Sequence, residues 1–183
     1  MQFAPVTFRL KDGRAAVLRS PDPARDAADM VQYLRDAAAE TPFVLRLPEE
    51  ITYTVEGEER FLRGVADSPN DCFIVCEVEG RIAGNCHLTF STLAKTRHSC
   101  TVAIALRKAY WGNGVGTAMF EAMERAARER EGVCQIDLEV IDDNMRARGL
   151  YEKMGFCVVG SRPDAIRQRD GSLHALCLMQ KKL

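Results

Sequence analysis

The sequence has no long hydrophobic run: its 183 residues nowhere contain the ~20 consecutive apolar residues that a membrane-spanning helix needs. It also has no excess of either charge, because 25 Lys and Arg stand against 26 Asp and Glu, for a net charge of −1. Nucleic acids and anionic membranes attract basic surfaces, so this balance argues against both as partners. Residues 1–14 alternate polar and apolar side chains instead of forming the apolar core of a signal peptide. We therefore expect a cytoplasmic protein.

Metal-binding motifs are also missing. The seven cysteines form no CxxC pair, and none of the three histidines is spaced with a cysteine as a zinc finger requires. Most cysteines lie in apolar runs such as CFIVCEV (72–78). We expect buried, reduced thiols and no metal site.

Apolar residues recur with helical spacing in four segments and with strand-like patterns in seven. Helices are predicted over 23–40, 55–67, 115 to about 132, and about 145–154. Strands are predicted over 14–19, 72–79, 81–91, 101–106, 134–140, 156–162 and 173–180. The order β α α β β β α β α β β predicts an α/β (α+β) fold, with a mixed central β-sheet and helices on both faces. The length predicts a single domain over residues 1–183.

Several boundaries have local signals. Asp22 is a predicted N-cap, and Pro23 suits the first helical position after it. Glu79-Gly80 between two apolar runs predicts a hairpin turn. Asn144 is a predicted N-cap of the last helix, and Gly155 fits the end of that helix.

Three glycines lie where the strand 101–106 ends and an amphipathic helix begins. Glycine allows positive φ and close backbone approach, and the unpaired N–H groups of a first helical turn attract phosphate. A Walker loop does not fit because Gly-Lys-Ser/Thr is absent, and a dinucleotide fingerprint would need a third glycine at Thr117. A glycine-rich turn without a ligand stays open as an alternative. The segment predicted to bind phosphate consists of Gly112, Asn113, Gly114, Val115, Gly116 and Thr117.

Two segments, IALRKAYWGNGVGTAM (104–119) and NMRARGLYEKMGF (144–156), resemble the signature motifs of the GNAT superfamily of acetyl-CoA-dependent N-acetyltransferases. The motifs fall within 104–156, and the element order matches the family fold from about residue 14 onward. Helices and a loop over about 20–70 would form the acceptor side, where residues 40–70 carry no family signature. The second motif is matched by Asn144, Ala147, Leu150, Tyr151, Gly155 and Phe156.

The resemblance implies acetyl-CoA as co-substrate. The pantetheine arm would pair with the strand backbone, and the pyrophosphate would bind the loop N–H groups. Trp111 stands where the family usually has Gln or Arg. Asn144 would contact the cofactor, with helix capping as its alternative role, and Tyr151 would protonate the departing thiolate, with ring packing as the alternative. The strand residues implied are Ile104, Ala105 and Leu106.

The base and the acceptor are less defined. Many relatives carry a glutamate at or near the position of Thr101, but HSCTVAIAL (98–106) has no carboxylate. Residues 40–71 carry a net charge of −5, so Glu49 and Glu50 are predicted to bind a cationic amine, with a solvated acidic turn as the alternative. Cys100 has no base partner, so we expect direct attack by the amine in a ternary complex.

The predicted function is acetyl transfer to a primary amine of a small molecule or a protein N-terminus. Two alternatives stay open: a non-catalytic acyl-CoA-binding or sensing domain, and a nucleotide-binding oxidoreductase. A homodimer also stays open.

Overall fold

Eight strands form one mixed sheet in the computed structural model, which describes residues 1–183. The strands are β1 (Val6–Arg9), β2 (Ala15–Arg19), β3 (Asp71–Val78), β4 (Arg81–Phe90), β5 (Ser99–Leu106), β6 (Gln135–Ile141), β7 (Cys157–Arg167) and β8 (Leu173–Lys182). They lie side by side in the order β1-β2-β3-β4-β5-β6-β8-β7. Only β5 and β6 are parallel neighbours. The predicted mixed sheet is confirmed.

Four α-helices and two short 3₁₀ turns complete the fold. The helices are α1 (Pro23–Glu40), α2 (Val55–Asp67), α3 (Val115–Arg128) and α4 (Met145–Lys153), and the turns are Pro48–Glu50 and Lys108–Tyr110. None of the four helices combines the length and the apolar character that a membrane span requires.

Strand β3 explains why helices cover both faces of the sheet. Successive side chains of a strand point to opposite faces. Ile74 and Cys76 pack in one core with α3, whereas Phe73 and Val75 pack in a second core with α1 and α2. The predicted apolar stripe of α3 is fully buried: Val115, Met119, Ala122, Met123 and Ala126.

The local signals place the element boundaries as predicted. The Asp22 carboxylate accepts hydrogen bonds from the N–H groups of Ala24 and Arg25, both at 3.1 Å, and so caps α1. Glu79 (φ 51°) and Gly80 (φ 77°) are both left-handed, which suits a two-residue hairpin turn between β3 and β4.

Apart from element ends that shift by up to five residues, three features differ from the sequence-based expectations. The strand β1 was not predicted; it is four residues long and pairs only with β2 at the sheet edge. Phe61 precedes the buried Leu62 in the apolar pattern of α2, but it is 46% exposed and touches Phe73 only edge-on. The expectation of buried thiols is wrong for Cys134 and Cys157, which are exposed because one lies just before β6 and the other begins the edge strand β7.

The two parallel strands diverge after a short contact. β5 pairs with β6 over three residues only: Ser99–Thr101 of β5 lie opposite Gln135–Asp137 of β6. Beyond this point β5 stays paired with β4 as far as Leu106, and β6 stays paired with β8 as far as Ile141. The sheet therefore contains an opening, the β5–β6 gap, bordered by residues 102–106 and 138–141.

Candidate active site

Two adjoining cavities meet at the β5–β6 gap. The loop cavity, of about 310 Å³, includes the glycine loop in its wall. The sheet cleft, of about 820 Å³, is bordered by β5, β6 and β8. Because they share wall residues, one molecule in each cavity would bring the two into contact. The shared residues are Phe43, Val44, Ile104, Ala105, Asn144 and Tyr151.

The glycine loop presents an open helix start to the loop cavity. Gly112 (φ 77°) and Gly114 (φ 94°) are left-handed, and no side chain caps α3 at Gly114. A Cβ at Gly114 would meet no protein atom within 4 Å, so this part of the backbone faces free space. Uncapped N–H groups beside free space suit an anion.

Gly116 has a different role from the other two glycines. A Cβ there would lie 2.7 Å from Cδ2 of Leu150, so its missing side chain lets α3 approach α4 closely. The side chains of Val115 and Asn113 do not line the loop cavity. Val115 is completely buried, and the Asn113 carbonyl accepts a hydrogen bond from the Lys11 N–H at 3.2 Å.

The Trp111 side chain is fixed by a hydrogen bond within the protein. Its indole Nε1 donates to the Leu106 carbonyl at 3.1 Å, so the indole is not a free donor for a ligand. The Arg146 guanidinium lies 5.2 Å from the centre of the Trp111 ring and lines the loop cavity. Lys11 and Lys153 also line this cavity and no carboxylate does, which makes its field positive. Arg146 was missed, although the second motif contains it.

Tyr151 lines both cavities. It is only 7% exposed, and its ring packs edge-on against Phe120 with centroids 5.2 Å apart. Burial is the only cause that acts on its hydroxyl, and it raises the pKa of Tyr151 to about 12. The hydroxyl is protonated at neutral pH and has no hydrogen-bond partner in the protein, so packing of the ring leaves it available to a ligand.

The other predicted residues near the gap are also in the walls. The Asn144 Oδ1 accepts from the Ala147 N–H at 3.2 Å and caps α4, while the residue lines both cavities. Ile104, Ala105 and Leu106 form the end of β5, which has no strand partner on the β6 side. The Ala105 carbonyl accepts from the buried Tyr33 hydroxyl at 2.8 Å.

The walls of the sheet cleft are mainly apolar, with charges at Arg46, Asp137 and Glu139. The Asp137 carboxylate accepts from the Gln135 amide at 2.9 and 3.0 Å and from the Gln180 amide at 3.0 Å. Glu139 is exposed and contacts Arg162 at 3.5 Å. Asp137 and Glu139 are two residues apart in β6 and so share one face of the strand, but the sequence did not predict that this face borders a cavity.

Glu49 and Glu50 line neither the loop cavity nor the sheet cleft, and their binding of the amine stays a prediction. Glu49 forms an ion pair with Arg169. The Glu50 carboxylate accepts from the Leu47 N–H at 2.8 Å and so belongs to a local turn. The residues that reach the sheet cleft are the preceding ones, 43–46.

Other candidate groups lie outside the site. Burial raises the pKa of the Cys100 thiol to about 12, so it is a poor nucleophile. His87 bonds to Asp71 at 2.6 Å and lines neither cavity. Asp142, Asp143 and His174 hold possible ligand atoms within 4.8 Å of one another, an arrangement that ion pairing with a histidine also produces. The absence of a metal site stays a prediction.

Comparisons with known proteins agree with this geometry. Residues 31–156 match a family model described as the acetyltransferase (GNAT) family. A GNAT-family acetyltransferase structure from Streptococcus pneumoniae is 30% identical, with a TM-score of 0.85, over 92% of this chain and 99% of that one. The structure of yncA from Salmonella typhimurium with its cofactor acetyl-CoA has the same fold, at 18% identity and a TM-score of 0.74, over 92% and 94% of the two chains.

A curated N-alpha-acetyltransferase from Sulfurisphaera tokodaii is 35% identical over 94 residues, which are 46% of this chain and 55% of that protein. A second curated relative, an N-acetyltransferase from Methanocaldococcus jannaschii, matches over 53% of its length. The chain thus spans about half the length of the curated relatives it matches.

Proposed function

The chain belongs to the GNAT acetyltransferase family, and from this premise we propose that it transfers an acetyl group from acetyl-CoA to a primary amine. The amine belongs to a small molecule or to a protein N-terminus, and it attacks directly in a ternary complex. One observation carries the proposal: a positively charged cavity at a glycine loop joins a second cavity at a buried tyrosine with a free hydroxyl.

Acetyl-CoA fits the loop cavity by charge and by backbone geometry. Its pyrophosphate would bind the N–H groups of the segment 112–117, and Lys11, Arg146 and Lys153 would balance the phosphate charge. Arg146, oriented by Trp111, supplies a cation near the position where the family usually has Gln or Arg. The pantetheine arm would lie along 104–106 in the β5–β6 gap, with Asn144 beside it. The same fold holding acetyl-CoA in the Salmonella structure supports this assignment.

The thioester would then lie where the two cavities meet. The neutral amine attacks the carbonyl carbon and a C–N bond forms. The nitrogen of the tetrahedral intermediate loses its surplus proton to water, and the C–S bond breaks as the intermediate collapses. The leaving thiolate takes a proton from the Tyr151 hydroxyl, because Tyr151 lines both cavities, and the resulting phenolate regains a proton from water.

The amine must lose a proton, because an alkylammonium of pKa ~10.4 is almost fully protonated at neutral pH. Asp137 already accepts three hydrogen bonds from amides, whereas Glu139 is exposed and has only a long contact to Arg162. Glu139 is therefore assigned as the proton acceptor of the sheet cleft.

A thiol-release assay with acetyl-CoA and a panel of amines tests the proposal, with mass spectrometry of the product. The expected result is thiol release that depends on the amine, with equal amounts of thiol and acetylated product. A non-catalytic acyl-CoA sensor is the competing function, and it would bind acetyl-CoA without releasing thiol for any amine.

A further inference from the structure

The residues that line the sheet cleft indicate which class of amine it can bind. This inference rests on the proposed function, because it concerns which amine the enzyme takes. The walls contributed by 43–45, by Val159 of β7 and by Leu176 and Leu178 of β8 are apolar. An apolar group is stabilised when it leaves water for such a surface, whereas a hydroxyl group placed against these apolar walls would lose hydration without a partner.

Arg46 is the only basic residue in the wall of the sheet cleft. Its guanidinium lies 5.6 Å from the centre of the Tyr53 ring, which orients it, and it forms no ion pair with the protein. Neighbouring arginines are occupied: Arg35 donates to the Ile51 and Tyr53 carbonyls, and Arg169 pairs with Glu49. Arg46 therefore keeps its donors free, and a guanidinium matches a carboxylate with two parallel hydrogen bonds.

Residues 43–46 run from the junction of the two cavities into the sheet cleft. Phe43 and Val44 line both cavities, whereas Leu45 and Arg46 line only the sheet cleft. Arg46 thus lies beyond the junction where Tyr151 and the thioester would meet. An acceptor whose amine reaches Tyr151 would direct another part of itself toward Arg46.

We propose that the acceptor is a zwitterionic amino acid with an apolar side chain. Its amine faces Tyr151 and Glu139, its carboxylate binds Arg46, and its side chain packs against the apolar walls. A diamine or polyamine fits less well, because its second ammonium would meet the Arg46 cation.

Three compounds with one side chain test the carboxylate: L-leucine, L-leucinamide and 3-methylbutylamine. We expect L-leucine to have a kcat/KM at least ~10-fold above the other two in the thiol-release assay, which is the discrimination one charge-assisted contact supplies. Amine pKa alone would predict the opposite order. The amine of the amide resembles an α-amino group of pKa ~7.7–8.0, so it is more often neutral at pH 7 than an alkylamine.

Variants locate the contact. Arg46→Gln should lower kcat/KM for L-leucine ~10-fold, mainly through KM, and leave 3-methylbutylamine unchanged. Arg169→Gln is the matched control, because this exposed arginine lies outside the cleft, and it should change neither substrate.

The outcomes separate two failures. If the amide, the alkylamine or a Leu-Gly-Gly peptide is used as well as L-leucine, the amino-acid assignment is overturned while acetyl transfer stands. Equal effects of Arg46→Gln on all acceptors overturn it as well. Binding of acetyl-CoA without thiol release for any of the four compounds overturns this inference alone if another amine of the panel releases thiol, and it overturns the proposed function as well if none does.

Discussion

At the residue scale, Tyr151 combines a packed ring with an unpartnered hydroxyl. Replacing it by Phe keeps the ring, so Tyr151→Phe should leave acetyl-CoA affinity and the free energy of unfolding nearly unchanged. Turnover should fall ~10²-fold, since a positioned proton donor contributes on that scale. Calorimetric binding, chemical denaturation and steady-state kinetics on one preparation check all three. A wild-type rate would reduce Tyr151 to a packing residue.

Glu58 is a second residue with an unusual environment, because it is only 5% exposed and its Oε1 has no hydrogen-bond partner. Burial raises the pKa of Glu58 above its usual 4.5, so the folded state favours the protonated form. The folded protein then holds more protons than the unfolded chain, and its stability falls as pH rises from about 4.5 through the raised pKa.

Glu58→Met removes this ionisation and keeps an unbranched side chain. It should stabilise the protein at pH 7 by about 1–3 kcal/mol, the usual effect of an unsatisfied buried polar group, with a smaller gain near pH 4. Urea denaturation between pH 4 and 8 measures the difference. Glu56→Met, at an exposed site of the same helix, is the control, and a pH-independent difference would contradict the assignment.

At the element scale, the start of α3 has two glycines with separate functions. Gly114→Ala places a methyl group in the loop cavity and strains a φ of 94°, so it should weaken acetyl-CoA binding. The added methyl group of Gly116→Ala would clash with Leu150, so this variant should lower the melting temperature. Any loss of acetyl-CoA affinity should follow from this loss of stability. Thermal melts without ligand, followed by acetyl-CoA titrations, separate the two. Unchanged affinity in folded Gly114→Ala would contradict the loop assignment.

Elements with local determinants were predictable. α2 has the predicted bounds, because Leu62 and Val65 give it an apolar face and Ser68-Pro69 follows it directly as a stop signal. The caps of α1 and α4 follow from Asp22 and Asn144. The edge strand β1 has too few residues and too little burial to show a clear pattern, and its pairing depends on β2.

At the scale of the whole molecule, the sequence predicted most residues of the loop cavity but not the segment 43–46 of the sheet cleft. The glycine loop, Tyr151 and Asn144 fall within contiguous motifs, and the structure brings them to one cavity. Residues 41–54 have no periodicity, so the sequence did not reveal that 43–46 reach the cleft while Glu49 turns to Arg169. Net charge over a segment does not tell which side chains face a cavity, and for this reason the sequence did not reveal that Glu49 and Glu50 lie outside both cavities.

The β5–β6 gap also bears on how long the folded protein lasts. Five strands lie on one side of it and three on the other, joined in the sheet by the short parallel contact at Ser99–Thr101. A cofactor in the gap would bridge both sides while binding only the folded state. By mass action, a ligand at 100 times its dissociation constant adds about 2.7 kcal/mol to the free energy of unfolding. The abundance of the acyl donor would thereby set resistance to proteolysis as well as the rate of acetylation.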